Sequence, residues 1–226
     1  MRYKALLFDL DNTLLDFNKT EYHAIIQTLK KHCLPASDEI AVTYSKINKS
    51  FWEAFERGEI KREEIFENRF IKLFETIGVK AESSAFAKDY FDFLACGHET
   101  VDGAKEILEW SVSKGIKVYA ITNGVAYTQY KRIKESGLNR FFSGIFISEE
   151  VGFKKPEKPY FDYVLNHIES FLKNEILIVG DSMSSDILGG KNSGIDTCWY
   201  NPYNNSAQYK PTFEIDKLIQ IKDILK

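Results

Sequence analysis

Cysteine is scarce in this chain: 226 residues hold three, Cys33, Cys96 and Cys198. They are odd in number, far apart and without a C-x-x-C pair, which excludes a paired-thiol zinc or redox centre and makes a reducing cytoplasm the expected location. Long apolar runs are also missing. Arg2 and Lys4 ahead of an apolar stretch look like the start of a secretion signal, but Asp9 and Asp11 interrupt it too early, so neither a signal peptide nor a membrane span is expected. No block of one charge occurs either. The 30 basic and 33 acidic residues are scattered, and the resulting net charge of −3 removes nucleic acid polymers and anionic membranes as default partners. The histidines, His23, His32, His98 and His167, lack ligand spacing. Absence of G-x-x-x-x-G-K-[ST] argues against a nucleoside triphosphate P-loop.

What is present suffices for a substantial core, since 44% of the side chains are hydrophobic, and this length fits one large or two unequal domains. Strand-like runs at residues 3–10, 116–122, 144–148, 175–180 and 197–200 alternate with helical patterns. That alternation predicts an α/β fold built on a parallel sheet. Ala104, Ile107 and Leu108 form one helical stripe, stopped by Gly115; Phe161, Val164, Leu165 and Ile168 form another. Residues 17–97 differ, because they repeat helical spacing without a convincing strand. Four stripes are visible there: Tyr22, Ile25, Ile26 and Leu29; Tyr44, Ile47, Phe51 and Phe55; Phe66, Phe70, Leu73 and Ile77; Phe86, Tyr90, Phe93 and Leu94. Breaks at Pro35, Gly58 and Gly78 separate them, so a small helical bundle is expected, inserted into a core made of residues 1–16 and 98–226. Residues 201–211 read as a polar loop before a final amphipathic helix.

Four polar clusters each follow a predicted strand or its neighbouring loop: Asp9/Asp11/Thr13, Thr122-Asn123-Gly124, Lys154-Lys155-Pro156, and Gly180-Asp181-Ser182 with Asp186. Ligands bind at the carboxyl ends of strands in open α/β sheets, so these clusters can converge on one pocket. Together they hold what phosphoryl transfer requires. Asp9 and Asp181, with Asp186 through water, offer hard oxygen ligands for Mg²⁺. Thr122 and the backbone amides that follow, including that of Asn123, can hydrogen-bond phosphoryl oxygens, and Lys155 supplies a point charge. Lys154 is expected to be solvated, Thr13 to close the turn after the strand, and Pro159 to alter the start of the following helix. Asp9 beside Mg²⁺ should stay ionised, whereas Asp11, if it faces another carboxylate, retains a proton more readily.

The order D-x-D-x-T, strand-terminal Thr, Lys-Pro and G-D-x-x-x-x-D resembles the haloacid dehalogenase-like hydrolase superfamily along the entire chain. The resemblance implies a Rossmann-like core with an all-helical cap at residues 17–97. It makes Asp9 the nucleophile that forms an aspartyl-phosphate, Asp11 the general acid and then base, and Thr122 and Lys155 the phosphate holders. The Mg²⁺ ligands would be Asp9, the Asp11 backbone carbonyl and Asp181, with Asp186 nearby. Residues 9–17, 55–60, 180–190 and 196–202 are further similar to the noncanonical pyrimidine nucleotidases, which implies nucleoside 5′-monophosphates as substrates.

Phe17, Trp52 and Arg69 suggest an aromatic and cationic surface for a pyrimidine ring. The alternatives are core or domain contacts for the two aromatics and a surface ion pair for Arg69. Other readings of the whole chain are a sugar-phosphate phosphatase, a phosphomutase, a haloacid dehalogenase and a non-catalytic binding module. Asp11 and Asp181 count against the dehalogenase, which needs neither a second carboxylate nor a metal.

Overall fold

The computed structural model describes residues 2–226 and divides into two compact units. One comprises the segment ending at Asp16 together with Glu99–Lys226, the other Phe17–His98. Six strands make the sheet of the first unit: β1 (Ala5–Phe8), β2 (Lys117–Thr122), β3 (Gly144–Ile147), β4 (Ile176–Gly180), β5 (Asp196–Tyr200) and β6 (Phe213–Ile215). All neighbours pair in parallel in the order β3-β2-β1-β4-β5-β6. Leu7 lies level with Tyr119 on one side and Ile178 on the other. Both faces of the sheet are covered, which is why β1 and β4 read as continuous apolar runs, buried at every position. Leu6, Phe8, Val118 and Leu177 join one core layer; Ala5, Leu7, Ile121 and Ile178 join the other.

The chain leaves β1 at the centre of the sheet, and the strand order reverses between β1 and β4. This reversal is the topological switch point, where a crevice opens at the carboxyl ends of the strands. The expected parallel α/β core is therefore present, with β1 shorter than the run at 3–10. The sixth strand was not foreseen. Residues beyond Pro211 first form β6, a three-residue edge strand with Cys198 opposite Phe213, so the expected final helix is confined to the short turns at Leu218–Gln220 and Ile221–Ile224; three residues are too few to show alternation.

The second unit contains α1 (Phe17–Lys31), α2 (Asp38–Glu56), α3 (Arg62–Ile77) and α4 (Ser83–Leu94). Local signals set their ends. Ser37 caps α2 by accepting from the Ile40 N–H at 3.4 Å, Glu82 caps α4 through the Ser84 and Ala85 amides, and Gly78 closes α3 at φ 70°. Ile25, Leu29, Tyr44, Phe70, Leu73, Phe86 and Tyr90 share one core. Phe70 lies 5.5 Å from Tyr44, stacked, and meets Phe86 and Tyr90 edge-on at 5.1 Å. Tyr22 departs from its expected stripe: it is exposed, and its hydroxyl donates to Asp38 at 2.6 Å.

Helices α5 (Ala104–Ser113), α6 (Ala126–Ser136), α7 (Ser148–Val151), α8 (Lys158–His167), α9 (Leu188–Ser193) and α10 (Ile221–Ile224) complete the first unit. Pro159 lies in the first turn of α8, where its missing N–H costs no helical hydrogen bond. Among the described residues, no helix is long and apolar enough to cross a membrane.

Candidate active site

Three central strands deliver the polar clusters. Asp9 follows β1 and keeps sheet pairing for one more residue, its N–H donating to the Val179 carbonyl at 2.9 Å. Asp181 follows β4, and Thr122 ends β2. Lys155, from the loop between α7 and α8, reaches under them. Its Nζ donates to Asp9 Oδ1 at 2.5 Å, Asp186 Oδ1 at 2.7 Å and the Ile121 carbonyl at 3.2 Å. All three ammonium protons are thus engaged. Asn123 holds the lysine from behind: its side-chain amide donates to the Lys155 carbonyl and accepts from the Lys155 N–H, both at 2.9 Å. The Asn123 side chain is therefore turned to the backbone of Lys155.

Asp186 is aimed by a π-helical turn over Met183–Ile187. Its Oδ2 accepts from the Ser182 N–H at 3.1 Å. Gly180 is required there, because a Cβ at that position would stand 2.2 Å from Asp186 Oδ2. Thr13, expected to close a turn, does so across the sheet: its hydroxyl accepts from the Asp181 N–H at 3.1 Å and donates to Asp181 Oδ1 at 3.3 Å. Trp199 Nε1 donates to the Asp181 carbonyl at 2.9 Å. Together Thr13 and Trp199 fix the loop that carries Asp181.

Asp9, Asp181 and Asp186 present carboxylate oxygens within 4.8 Å of one another. Burial, above all, pushes Asp181 up to about 7, with Asp186 adding to the rise and Lys155 and Thr13 opposing it. Burial likewise holds Asp9 well above the ordinary carboxylate range against the pull of Lys155. Burial disfavours the charged form of Lys155, yet Asp186 and Asp9 overcome it and hold the ammonium above its usual range. Three carboxylates against one ammonium leave negative charge uncompensated. A divalent, oxygen-seeking cation fits this donor set, with Asp9, Asp181 and Asp186 as the side chains that would hold it.

Asp11 is near enough for its charge to add to the rise of Asp9, and its carboxylate is held by α6: Arg132 Nη1 donates to Oδ1, and Gln129 Nε2 donates to Oδ2 at 2.7 Å. Its side chain is not one of the cluster of three, so of its groups the backbone carbonyl is the one that the resemblance offers to a cation. Lys154, expected to be solvated, is half-buried, and its Nζ donates to Glu157 Oε1 at 2.8 Å.

Gln129 and Arg132 were missed in the sequence. They stand one turn apart on α6, which opens four residues after Thr122, so their common face was the available signal.

In the helical unit, Phe17 opens α1 and packs against the helical core, and Trp52 meets Phe55 edge-on at 5.9 Å. Arg69 is neither an exposed base-binding group nor a surface ion pair. It is 1% exposed, donates to Asn48 Oδ1 at 2.5 Å and lies 4.8, 5.0 and 5.2 Å from the ring centres of Phe70, Tyr90 and Phe91. Asn48 in turn donates to Glu21 at 2.6 Å. Ring faces and this polar relay offset the desolvation of the guanidinium.

A doubly covered parallel sheet with an aspartate after β1, a buried lysine and a second acidic loop after β4 defines a hydrolase class. The pattern of the haloacid dehalogenase-like hydrolases matches residues 3–194, and the chain belongs to that family. It is 41% identical to the HAD-hydrolase YfnB of Bacillus subtilis over 99% of this chain and 96% of that protein. A crystal structure of YfnB bound to magnesium, described as revealing interdomain movement, superposes with a TM-score of 0.94 at 40% identity, covering 100% of this chain and 99% of the other. The pyrimidine 5′-nucleotidase PynA of Streptococcus pneumoniae is 37% identical, over 100% of this chain and 96% of its own. YjjG of Escherichia coli, also a pyrimidine 5′-nucleotidase, is 29% identical, over 100% and 99%.

The raised carboxylates carry a pH prediction. A cation must displace the proton from Asp181, pushed up to about 7, so its apparent affinity should rise up to about tenfold per pH unit as pH approaches about 7 and then level off. The Mg²⁺-induced rise in thermal midpoint, measured against chelator, is expected to be small at pH 5.5 and large at pH 8. A rise independent of pH would contradict the assignment of the cation to these carboxylates.

Proposed function

We propose that the chain is a Mg²⁺-dependent phosphomonoesterase acting through an aspartyl-phosphate on Asp9, with pyrimidine nucleoside 5′-monophosphates as its substrates. The observation that carries the reading is the convergence of Asp9, Asp181, Asp186, Lys155 and Thr122 at the carboxyl end of one sheet, around its switch point. The nucleotidase relatives, matched along the whole chain, support the substrate class.

In this mechanism an Asp9 carboxylate oxygen attacks phosphorus. The bond from phosphorus to the ester oxygen breaks, and that oxygen leaves with a proton delivered by Asp11. Thr122 and the Asn123 amide after it hydrogen-bond the phosphoryl oxygens through the transfer. Lys155 exchanges one of its internal acceptors for a phosphoryl oxygen while its charge remains against Asp9 and Asp186. Water then attacks phosphorus, Asp11 accepts its proton, the phosphorus bond to Asp9 breaks, and inorganic phosphate is released. When bound at the three carboxylates, the cation supplies positive charge against which a phosphate dianion can approach this acidic site. Helices α1–α4 serve as the cap that screens substrate.

A panel of ribo- and deoxyribonucleoside monophosphates and sugar phosphates, assayed for phosphate release with Mg²⁺ and with chelator, tests the proposal. Mg²⁺-dependent release, fastest from pyrimidine monophosphates, is expected. Preference for a sugar phosphate would overturn the substrate class, and release undiminished by chelator would overturn the metal requirement.

A further inference from the structure

We propose that Gln129 and Arg132 are positioning residues, a clamp on α6 that orients both the proton-transferring carboxylate Asp11 and the phosphate-binding hydroxyl of Thr122. The proposal rests on the phosphomonoesterase reading. Both clamp residues are 1% exposed. Arg132 Nη1 donates to Asp11 Oδ1 and, at 3.0 Å, to Gln129 Oε1. Gln129 Nε2 donates to Asp11 Oδ2 at 2.7 Å and to Thr122 Oγ1 at 2.8 Å. The two side chains therefore meet both carboxylate oxygens of Asp11 and connect it to the phosphate-binding loop.

The orientation of the glutamine amide has one solution. Turned over, it would set its oxygen against the Asp11 carboxylate and its NH₂ against the Arg132 guanidinium, so two attractions would become two repulsions. As it stands, both amide protons and the amide oxygen are engaged. Thr122 is fixed in consequence. Its hydroxyl accepts from Gln129 Nε2 and from the Gly124 N–H at 3.0 Å, which occupies both lone pairs and leaves the hydroxyl proton to be donated. An anion in front of Thr122 meets a preset donor. Gly124 makes room for the clamp, because a Cβ there would stand 2.4 Å from Gln129 Nε2. The helix is anchored at its start, where Glu149 accepts from the Ala126 N–H at 2.7 Å.

Leaving groups separate positioning from a general structural role. Alkyl phosphates need a proton on the departing oxygen, whereas aryl phosphates of acidic phenols leave without one. Arg132→Met and Gln129→Leu should lower kcat on an alkyl phosphate by about 100-fold, the scale of a misplaced acid, and on p-nitrophenyl phosphate by less than about tenfold. Gln129→Leu should also raise KM for both esters, because it frees the Thr122 hydroxyl to turn. Arg132→Lys, which keeps the charge, should recover part of the alkyl rate.

Equal losses on the two esters would overturn the clamp while leaving the phosphomonoesterase reading intact. Loss of the fold in both variants, seen by thermal unfolding, would overturn it too by making the pair structural. If the wild-type protein releases phosphate from neither ester, the reading itself fails.

Discussion

Asp9→Asn is expected to lose turnover by at least about 10⁴-fold, the scale on which removal of a covalent nucleophile acts, while the protein becomes no less stable. The two effects have one cause. Asn keeps the shape of Asp9 and can still accept from Lys155, but its amide is no nucleophile toward phosphorus. Asp9 is 7% exposed and shares a buried site with Asp181 and Asp186, so removing its charge relieves repulsion among the carboxylates. In chelator at pH 8 the variant should unfold at or above the wild-type midpoint. Acid quench of a single turnover with phosphorus-labelled substrate should trap label on the wild-type chain and none on the variant. Single-turnover phosphate release by Asp9→Asn would remove Asp9 from the nucleophile's role.

The residues most legible in the sequence were those that end strands. Asp9 follows the wholly apolar run Ala5–Phe8, Thr122 ends a run that holds Val118 and Ile121, Asp181 follows the β-branched run Ile176–Gly180, and a parallel sheet places the ends of such runs together. The shared face of Gln129 and Arg132 was a signal easily misread: on an amphipathic helix a polar pair at i and i+3 reads as solvent-facing, and only the fold turns that face onto Asp11. The partners of Asp11 were hidden for the same reason, since α6 supplies a guanidinium and an amide to a carboxylate that also feels Asp9. Arg69 misled in the opposite sense. A basic residue on a helix is normally exposed, and nothing local shows that Asn48, from another helix, and three aromatic rings will enclose it. Strand β6 is too short to carry a period, so it became visible only through its pairing with β5.

Lys155→Met should damage stability as well as activity, and its stability cost should depend on pH. Met preserves the unbranched stem but removes the ammonium that faces Asp9 and Asp186. Leaving buried carboxylates without their cation costs about 3–5 kcal/mol. Without the lysine, whose charge opposes the rise, the proton affinity of Asp9 climbs further above the ordinary range. Between that range and the raised values the folded chain then binds more protons than the unfolded chain, so stability falls as pH increases. The deficit relative to wild type should be close to full at pH 8 and smaller at pH 5.5, where protonation of the carboxylates replaces the missing charge. Mg²⁺ should recover part of the stability at pH 8, because a cation held by the three carboxylates opposes the same repulsion. It should not recover the rate, expected to fall by about 10³-fold, since the charge beside the attacking oxygen is gone. Denaturant unfolding of both proteins at the two pH values, in chelator and in Mg²⁺, separates these effects. A deficit of equal size at both pH values would mean that Lys155 contributes packing rather than charge.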